Sequence, residues 1–195
     1  MTVIIDTGCA NFASVQFALK RLGCDAVISD DAATILSADR LILPGVGSAP
    51  AAMDKLRQRG LLELLPQIEQ PLLGICLGMQ LLGEYSQEGN TALPGLLPVQ
   101  STRLHSNNQP LPHMGWNQLT VTDHPLFAGI NNGDYVYFVH SYGVEVGEFT
   151  LAQSEYGQRF SAAIGRDNLM GVQFHPERSS AVGARILQNF LELTL

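Results

Sequence analysis

The sequence predicts an α/β fold: a single domain with a mainly parallel central sheet flanked by helices, and antiparallel hairpins added to it. Three observations predict this. Short apolar runs alternate with amphipathic stretches over the first half, which calls for crossover connections and therefore for parallel strands buried on both faces. From about Leu96 strands follow one another across short turns, the grammar of hairpins. Finally, 195 residues with 46% hydrophobic and 15% charged side chains suffice for a sizeable core and do not describe a disordered polypeptide.

Taken in order, Val3–Ile5 reads as a strand, Phe12–Leu22 as a helix stopped by Gly23, and Ala26–Ile28 as a second strand. Leu41–Leu43 is a third strand, broken by Pro44-Gly45-Val46-Gly47. Two helical segments, Ala49–Gln58 and Leu61–Glu69, precede a fourth apolar run at Leu72–Ile75. Ser86–Leu97 is the best loop candidate but separates no second core, so one domain spans residues 1–195. Further strands are expected at Tyr135–His140, Thr150–Ser154, Phe160–Ile164 and Leu169–Phe174, as hairpins on the edge of the sheet. The last helix, Ser179–Leu193, takes Ser179 or Ser180 as N-cap and sets Val182, Ile186, Leu187, Phe190 and Leu191 along one face.

Eleven Lys and Arg against eighteen Asp and Glu leave a formal charge of −7, which argues against a broad face for nucleic acid or anionic lipid. No apolar run approaches the ~20 residues that span a bilayer. The three cysteines, Cys9, Cys24 and Cys76, match neither a disulfide framework nor a zinc pattern. Free thiols in a reducing, cytoplasmic compartment are the simpler reading, with no metal and no cofactor.

One of those thiols has a special setting. Gly74-Ile75-Cys76-Leu77-Gly78-Met79-Gln80 reads as strand, then GxCxG, then helix, the cysteine version of a nucleophile elbow. Such a turn holds its residue in a strained backbone conformation, and flanking glycines leave no side chains to collide. It also aims the sulfur at a helix N-terminus, where the thiolate is favoured. Cys9 and Cys24 lack any such setting and read as structural; the bland alternative for Cys76 is a small buried hydrophobe.

A thiolate that attacks a carbonyl needs a proton acceptor and donor, usually histidine near neutral pH. Among the five histidines, His175 has the suitable neighbourhood. Gly171-Val172-Gln173-Phe174-His175-Pro176-Glu177 leaves a strand, and in extended chain residues two apart point to one side. Glu177 can then orient His175 and stabilise its imidazolium. His140, on the aromatic strand Tyr137-Phe138-Val139-His140-Ser141-Tyr142, is the competing base. Acyl transfer also needs donors for the developing oxyanion: the Leu77 N–H supplies one by position, and the glycine-rich turn Pro44–Gly47 offers the second.

In this order and spacing, Pro44–Gly47, Gly74–Gln80 and Gly171–Glu177 resemble the triad-type, class I glutamine amidotransferases over essentially the whole chain, a flavodoxin-like fold. Within them the sequence is most similar to the glutaminase subunits that serve imidazole glycerol phosphate synthase in histidine biosynthesis. Three features carry that likeness: Val46 in PGVG, Pro112-His113-Met114-Gly115-Trp116-Asn117, and Tyr137–Tyr142. Relatives in chorismate-derived pathways usually have PGPG and GxCLGHQ, where this chain has Val46 and Met79. Arg178 stands where many of the nearer relatives have Lys.

The resemblance implies that Cys76 attacks the side-chain amide of L-glutamine, that His175 shuttles protons, and that Glu177 orients it. It further implies a substrate and oxyanion pocket of Val46, Gly47, Leu77, Gln80, Ser141 and Tyr142. Ammonia set free in water is quickly protonated, and this chain has no room for an acceptor site. The resemblance therefore implies a partner in trans, a (β/α)8-barrel cyclase, docked against Asn11, Met114, Trp116, Tyr137 and Arg178. A glutaminase of another pathway, a cysteine hydrolase acting on other acyl substrates, and an inactive scaffold subunit remain the alternatives.

Overall fold

The computed structural model describes residues 1–8 and 10–194, so Cys9, read above as structural, lies outside the described residues. Four strands, β1 (Thr2–Ile5), β2 (Val27–Ser29), β3 (Arg40–Gly45) and β4 (Leu72–Cys76), are joined by parallel pairing in the order β2-β1-β3-β4. The strand Leu169–Val172 continues the parallel set beyond β4, and the sheet then turns antiparallel through Gln158–Arg166 and Tyr142–Val144. Among the described residues this sheet has twelve strands.

Alternation along each strand divides the core into two layers. Ile4, Ile42, Leu73 and Ile75 point to one face, where they meet Val15 and Leu19 of α1 (Phe12–Arg21) together with Ile186 and Phe190 of the C-terminal helix Ser180–Glu192. Val3, Ile5, Leu41, Leu43 and Leu72 point to the other, against Ile35 of α2 (Ala32–Leu36) and Ala52, Met53 and Leu56 of α3 (Ala49–Gln58). At β1, β3 and β4 both faces of the sheet are thus covered, which is why these strands are largely apolar rather than alternating; on the edge strand β2, Val27 and Ile28 stay exposed. Each fully buried Leu or Ile contributes about 1.5–3 kcal/mol of transfer free energy. Side chains start two of the helices: Asn11 accepts from the Ser14 N–H at 3.3 Å and Asp31 from the Thr34 N–H at 2.8 Å.

Several expectations are corrected. Leu61–Glu69 is not an α-helix; it contains a single 3₁₀ turn, Leu65–Gln67. Pro66 supplies no N–H and its ring opposes the carbonyl four residues back, so the helix cannot propagate, although Leu61, Leu64, Leu65 and Ile68 are still buried. β3 is not broken at Pro44 but runs through Pro44 and Gly45, because its pairing with β1 ends at Ile42 and Pro44 sits beyond that ladder. Ser86–Leu97 is not pure loop: it holds a short hairpin pairing Tyr85–Ser86 with Thr91–Ala92. Tyr135–His140 forms no part of the main sheet. It pairs with His113–Gln118 as a separate two-stranded ribbon.

The C-terminal helix begins at Ser180, and the Ser179 side chain does not cap it. Its hydroxyl instead donates to the His175 carbonyl at 2.6 Å and accepts from the Tyr137 N–H at 2.9 Å. That diversion ties the ribbon to the segment that follows the parallel sheet. No helix among the described residues is long and apolar enough to cross a membrane.

Candidate active site

Cys76 closes β4 with φ 55° and ψ −112°, a left-handed conformation that a side-chain-bearing residue adopts only under strain. The strain is held by close backbone packing. A Cβ on Gly78 would overlap the Leu43 carbonyl oxygen, and one on Gly74 would press on the Gly78 carbonyl, so both positions exclude any larger residue. The helix after the turn, α4 (Leu77–Gln80), is one turn long. Its dipole is correspondingly small, which corrects the expectation that a helix N-terminus holds the thiolate; the charge facing the sulfur comes from a side chain.

That side chain is His175. It lines the same cavity as Cys76 and bonds Glu177, with Nδ1 2.8 Å from Glu177 Oε1, while the Cys76 thiol itself donates to the Val139 carbonyl at 3.7 Å. The carboxylate makes Nδ1 the protonated nitrogen and turns Nε2 to the sulfur. Burial pushes the imidazole down, but hydrogen bonds and opposite charge from Cys76 and Glu177 together outweigh it and raise its pKa from 6.5 to about 10. A protonated imidazole at this place can hand a proton to the group that leaves when Cys76 attacks. Backbone bonds fix the loop: the His175 N–H donates to the Tyr137 carbonyl at 2.9 Å, and Ser179 grips the His175 carbonyl.

Cys76 and His175 open into a cavity of about 350 Å³, large enough for an amino acid. Val46, Gly47, Leu77, Gln80, Ser141 and Tyr142 all line it. Gly47, at φ 96°, lets the turn after Pro44 fold toward the sulfur. Residues to which the motifs assign no role line or brace the same space. Glu88 and Arg103 sit in its wall, and Gln173, fully buried, lies with Nε2 3.8 Å from Cys76 Sγ while its Oε1 accepts from Gln80 Nε2 at 2.9 Å. Gln80 Nε2 also donates to the Tyr142 carbonyl at 3.0 Å. A cavity of similar size near Val99, Val144 and Phe149 contains neither cysteine nor histidine.

His140 is not a second base. Its Nδ1 lies 2.9 Å from the Tyr142 carbonyl and its Nε2 3.0 Å from His113 Nδ1. Burial, offset only in part by the Tyr142 bond and reinforced by His113 and His175, lowers its pKa to about 3. The five residues expected to meet a partner gather around the outer face of the ribbon and the back of the site. Met114 and Trp116 are 62% and 52% exposed, Trp116 meets Tyr137 edge-on at 6.0 Å, and Arg178 lies 5.8 Å over the Tyr137 ring. Asn11 and Arg178 line a small cleft with Val46 and His175.

The family model Glutamine amidotransferase class-I matches residues 3–193. The chain belongs to the class-I glutamine amidotransferases. This amidotransferase is 56% identical over 198 residues to imidazole glycerol phosphate synthase subunit HisH of Vibrio cholerae, covering 98% of each chain. It is 52% identical over 202 residues to the protein of the same name from Shewanella loihica, covering 98% of this chain and 90% of that one. Among solved structures, the crystal structure of a glutamine amidotransferase matches it with a TM-score of 0.76 at 20% identity over 97% of both chains. PurLQS from Thermotoga maritima matches with 0.72 at 20% identity, over 98% of this chain and 97% of that one. At such identity these two establish the fold of the amidotransferase and nothing finer.

Proposed function

We propose that this amidotransferase is the glutaminase subunit of an imidazole glycerol phosphate synthase, hydrolysing L-glutamine to glutamate and ammonia for a cyclase partner in histidine biosynthesis. The observation that carries the chemistry is the joint placement of a strained Cys76 and His175 at one cavity, with the Glu177 carboxylate behind the imidazole at 2.8 Å. The pathway rests on the relatives named above, which match over nearly the whole chain.

In the first step Cys76 Sγ attacks the side-chain amide carbon of glutamine. The oxyanion is received by the Leu77 N–H and by the turn at Val46 and Gly47, which lines the same cavity and whose peptide must turn its N–H toward the oxyanion for full activity. His175 gives its proton to the leaving nitrogen, ammonia departs, and a glutamyl thioester remains. His175 then takes a proton from water, which attacks the thioester and releases glutamate and the thiolate. Gln80, Ser141 and Tyr142 position the substrate, while Glu88 and Arg103 provide the opposite charges that suit a zwitterionic amino acid.

We read residues 1–195 as one amidotransferase domain. Support comes from Met1, whose ammonium pairs with Asp39, and from Arg40, which donates to the Leu193 carbonyl at 2.6 Å. We assign the chain to the cytoplasm, where Cys24 and Cys76 remain free thiols. The partner is read as a (β/α)8-barrel cyclase that meets Met114, Trp116, Tyr137, Arg178 and Asn11, and delivery of ammonia requires the two sites to be joined.

Co-purification with the cyclase followed by a glutamine-dependent synthesis assay tests this reading. The expected result is a stable complex that makes imidazole glycerol phosphate from glutamine, and a glutaminase nearly silent without the cyclase and its nucleotide ligand. Equal rates in both states remove the dependence on the partner. A glutamine-analogue electrophile should label the wild type but not Cys76→Ala, and labelling at Cys24 or Cys9 instead overturns the nucleophile assignment.

A further inference from the structure

Two buried histidines beside the site take no part in the acyl transfer, and together they join two motifs that are far apart in sequence. In the ribbon His140 stands opposite His113, Phe138 opposite Gly115, and Val136 opposite Asn117, so these six face one side. Met114, Trp116, Tyr137 and Val139 face the other, which is the exposed side. The inward side is a line of polar groups through an aromatic core. His113 is stacked between Phe138 and Tyr156, with ring centroids 4.9 and 4.1 Å away, and His140 lies 4.9 Å from Phe160.

Hydrogen bonding fixes the direction of that line. The Tyr142 carbonyl can only accept, so His140 Nδ1 carries a hydrogen and donates to it at 2.9 Å. His140 Nε2 is then an acceptor and takes the His113 Nδ1–H at 3.0 Å. His113 Nε2, left without a hydrogen, takes one from Asn117 Nδ2 at 3.3 Å, and Asn117 is anchored in turn by donating to the Glu155 carbonyl at 2.8 Å. At the other end the Tyr142 carbonyl also receives Gln80 Nε2, which bonds Gln173 beside Cys76.

We propose that Asn117, His113 and His140 form a hydrogen-bonded relay of fixed tautomers that positions the Tyr142 carbonyl and Gln80, and so shapes the glutamine pocket from the inward side of the ribbon whose outward side docks the partner. The proposal rests on the reading of Gln80, Ser141 and Tyr142 as that pocket. Two imidazoles in an aromatic core cost desolvation free energy unless every nitrogen is paired, and here all four are. Burial keeps both rings neutral, with His113 lowered to about 4, so the relay holds one pattern of donors and acceptors across the working range. These are positioning residues: His140 forms part of the cavity wall, but both of its ring nitrogens are engaged by Tyr142 and His113 and neither is turned to the sulfur.

The test uses the full chain with its cyclase partner. Wild-type hydrolysis of glutamine comes first, and its absence sinks the amidotransferase reading independently of the relay. His140→Phe keeps the ring and removes both hydrogen bonds; KM for glutamine should rise about tenfold, the weight of one hydrogen bond, with kcat within about twofold. The rate at which iodoacetamide alkylates Cys76 should not change, because the Cys76–His175 pair is left intact. His140→Asn, whose amide nitrogen overlays Nδ1, should recover part of the lost KM. An unchanged KM in His140→Phe, or a fall in kcat alone, overturns the relay. Should the variant fail to fold, the wild-type protein still decides: a long-range proton–nitrogen correlation spectrum near neutral pH should show His113 and His140 protonated at Nδ1 only. An imidazolium or an Nε2–H form at either ring overturns the proposal.

Discussion

At the level of single residues the site separates strain, charge and position onto different side chains. Cys76 bears the backbone strain, and Cys76→Ala should lower glutamine hydrolysis by at least about 10³-fold, since no other thiol among the described residues lines the cavity. The pH dependence belongs to His175. Because its pKa is raised from 6.5 to about 10, the stability its imidazolium contributes is fully present below pH 6.5 and is lost as pH rises through about 10. Hydrolysis should fall through the same alkaline limb. Glu177→Gln removes the carboxylate that bonds the imidazole at 2.8 Å, and the limb should move to lower pH by about one pH unit or more in a pH–rate profile. An unmoved limb would show that Glu177 does not hold the charge. The grouping of Cys76, His175 and Glu177 is legible in the sequence because each sits within a motif of seven residues with its own local geometry. Gln173 and the His113–His140 pair are not, because their partners lie 93 and 27 residues away along the chain and only the fold brings them together.

Among the elements, the elbow and the ribbon do the positioning. Gly78 packs so closely on β3 that Gly78→Ala must push β3 and β4 apart; we expect a loss of at least about 3 kcal/mol and a melting temperature lower by roughly 10 °C. Calorimetry reads this without any substrate. Ser179→Ala cuts the hydroxyl link between the Tyr137 N–H and the His175 carbonyl, which should cost about 1–2 kcal/mol and reduce activity by loosening the His175 loop. Strands β1, β3 and β4 and helices α1 and α3 follow from apolar periodicity, since burial on one or two faces leaves its period in the sequence. The segment Leu61–Glu69 has the same apolar spacing yet forms only one 3₁₀ turn, because a single missing N–H at Pro66 outweighs periodicity. The ribbon strand Tyr135–His140 is readable as a strand, but which strand it pairs with is a long-range choice that alternation does not encode.

The whole molecule is an ammonia source with an exposed aromatic patch, at Trp116 and Tyr137, beside the His175 loop. Trp116 and Met114 present apolar area next to Tyr137 and Arg178, an anchor of the kind that dominates interface energetics. Trp116→Ala should weaken cyclase binding by about 2 kcal/mol, roughly thirtyfold in Kd, while the melting temperature of the isolated chain stays within about 2 °C. Titration calorimetry beside a thermal melt distinguishes the two effects. In the ribbon, alternate positions face opposite ways, Met114, Trp116 and Tyr137 outward and His113, Phe138 and His140 into the core. A substitution there alters one of the two, but inserting or deleting one residue turns every side chain over and exchanges the roles at a stroke. The lengths of the segments 113–118 and 135–140 are therefore fixed by the two-sidedness of the ribbon, and a chimaera that transplants it must move both strands as a unit.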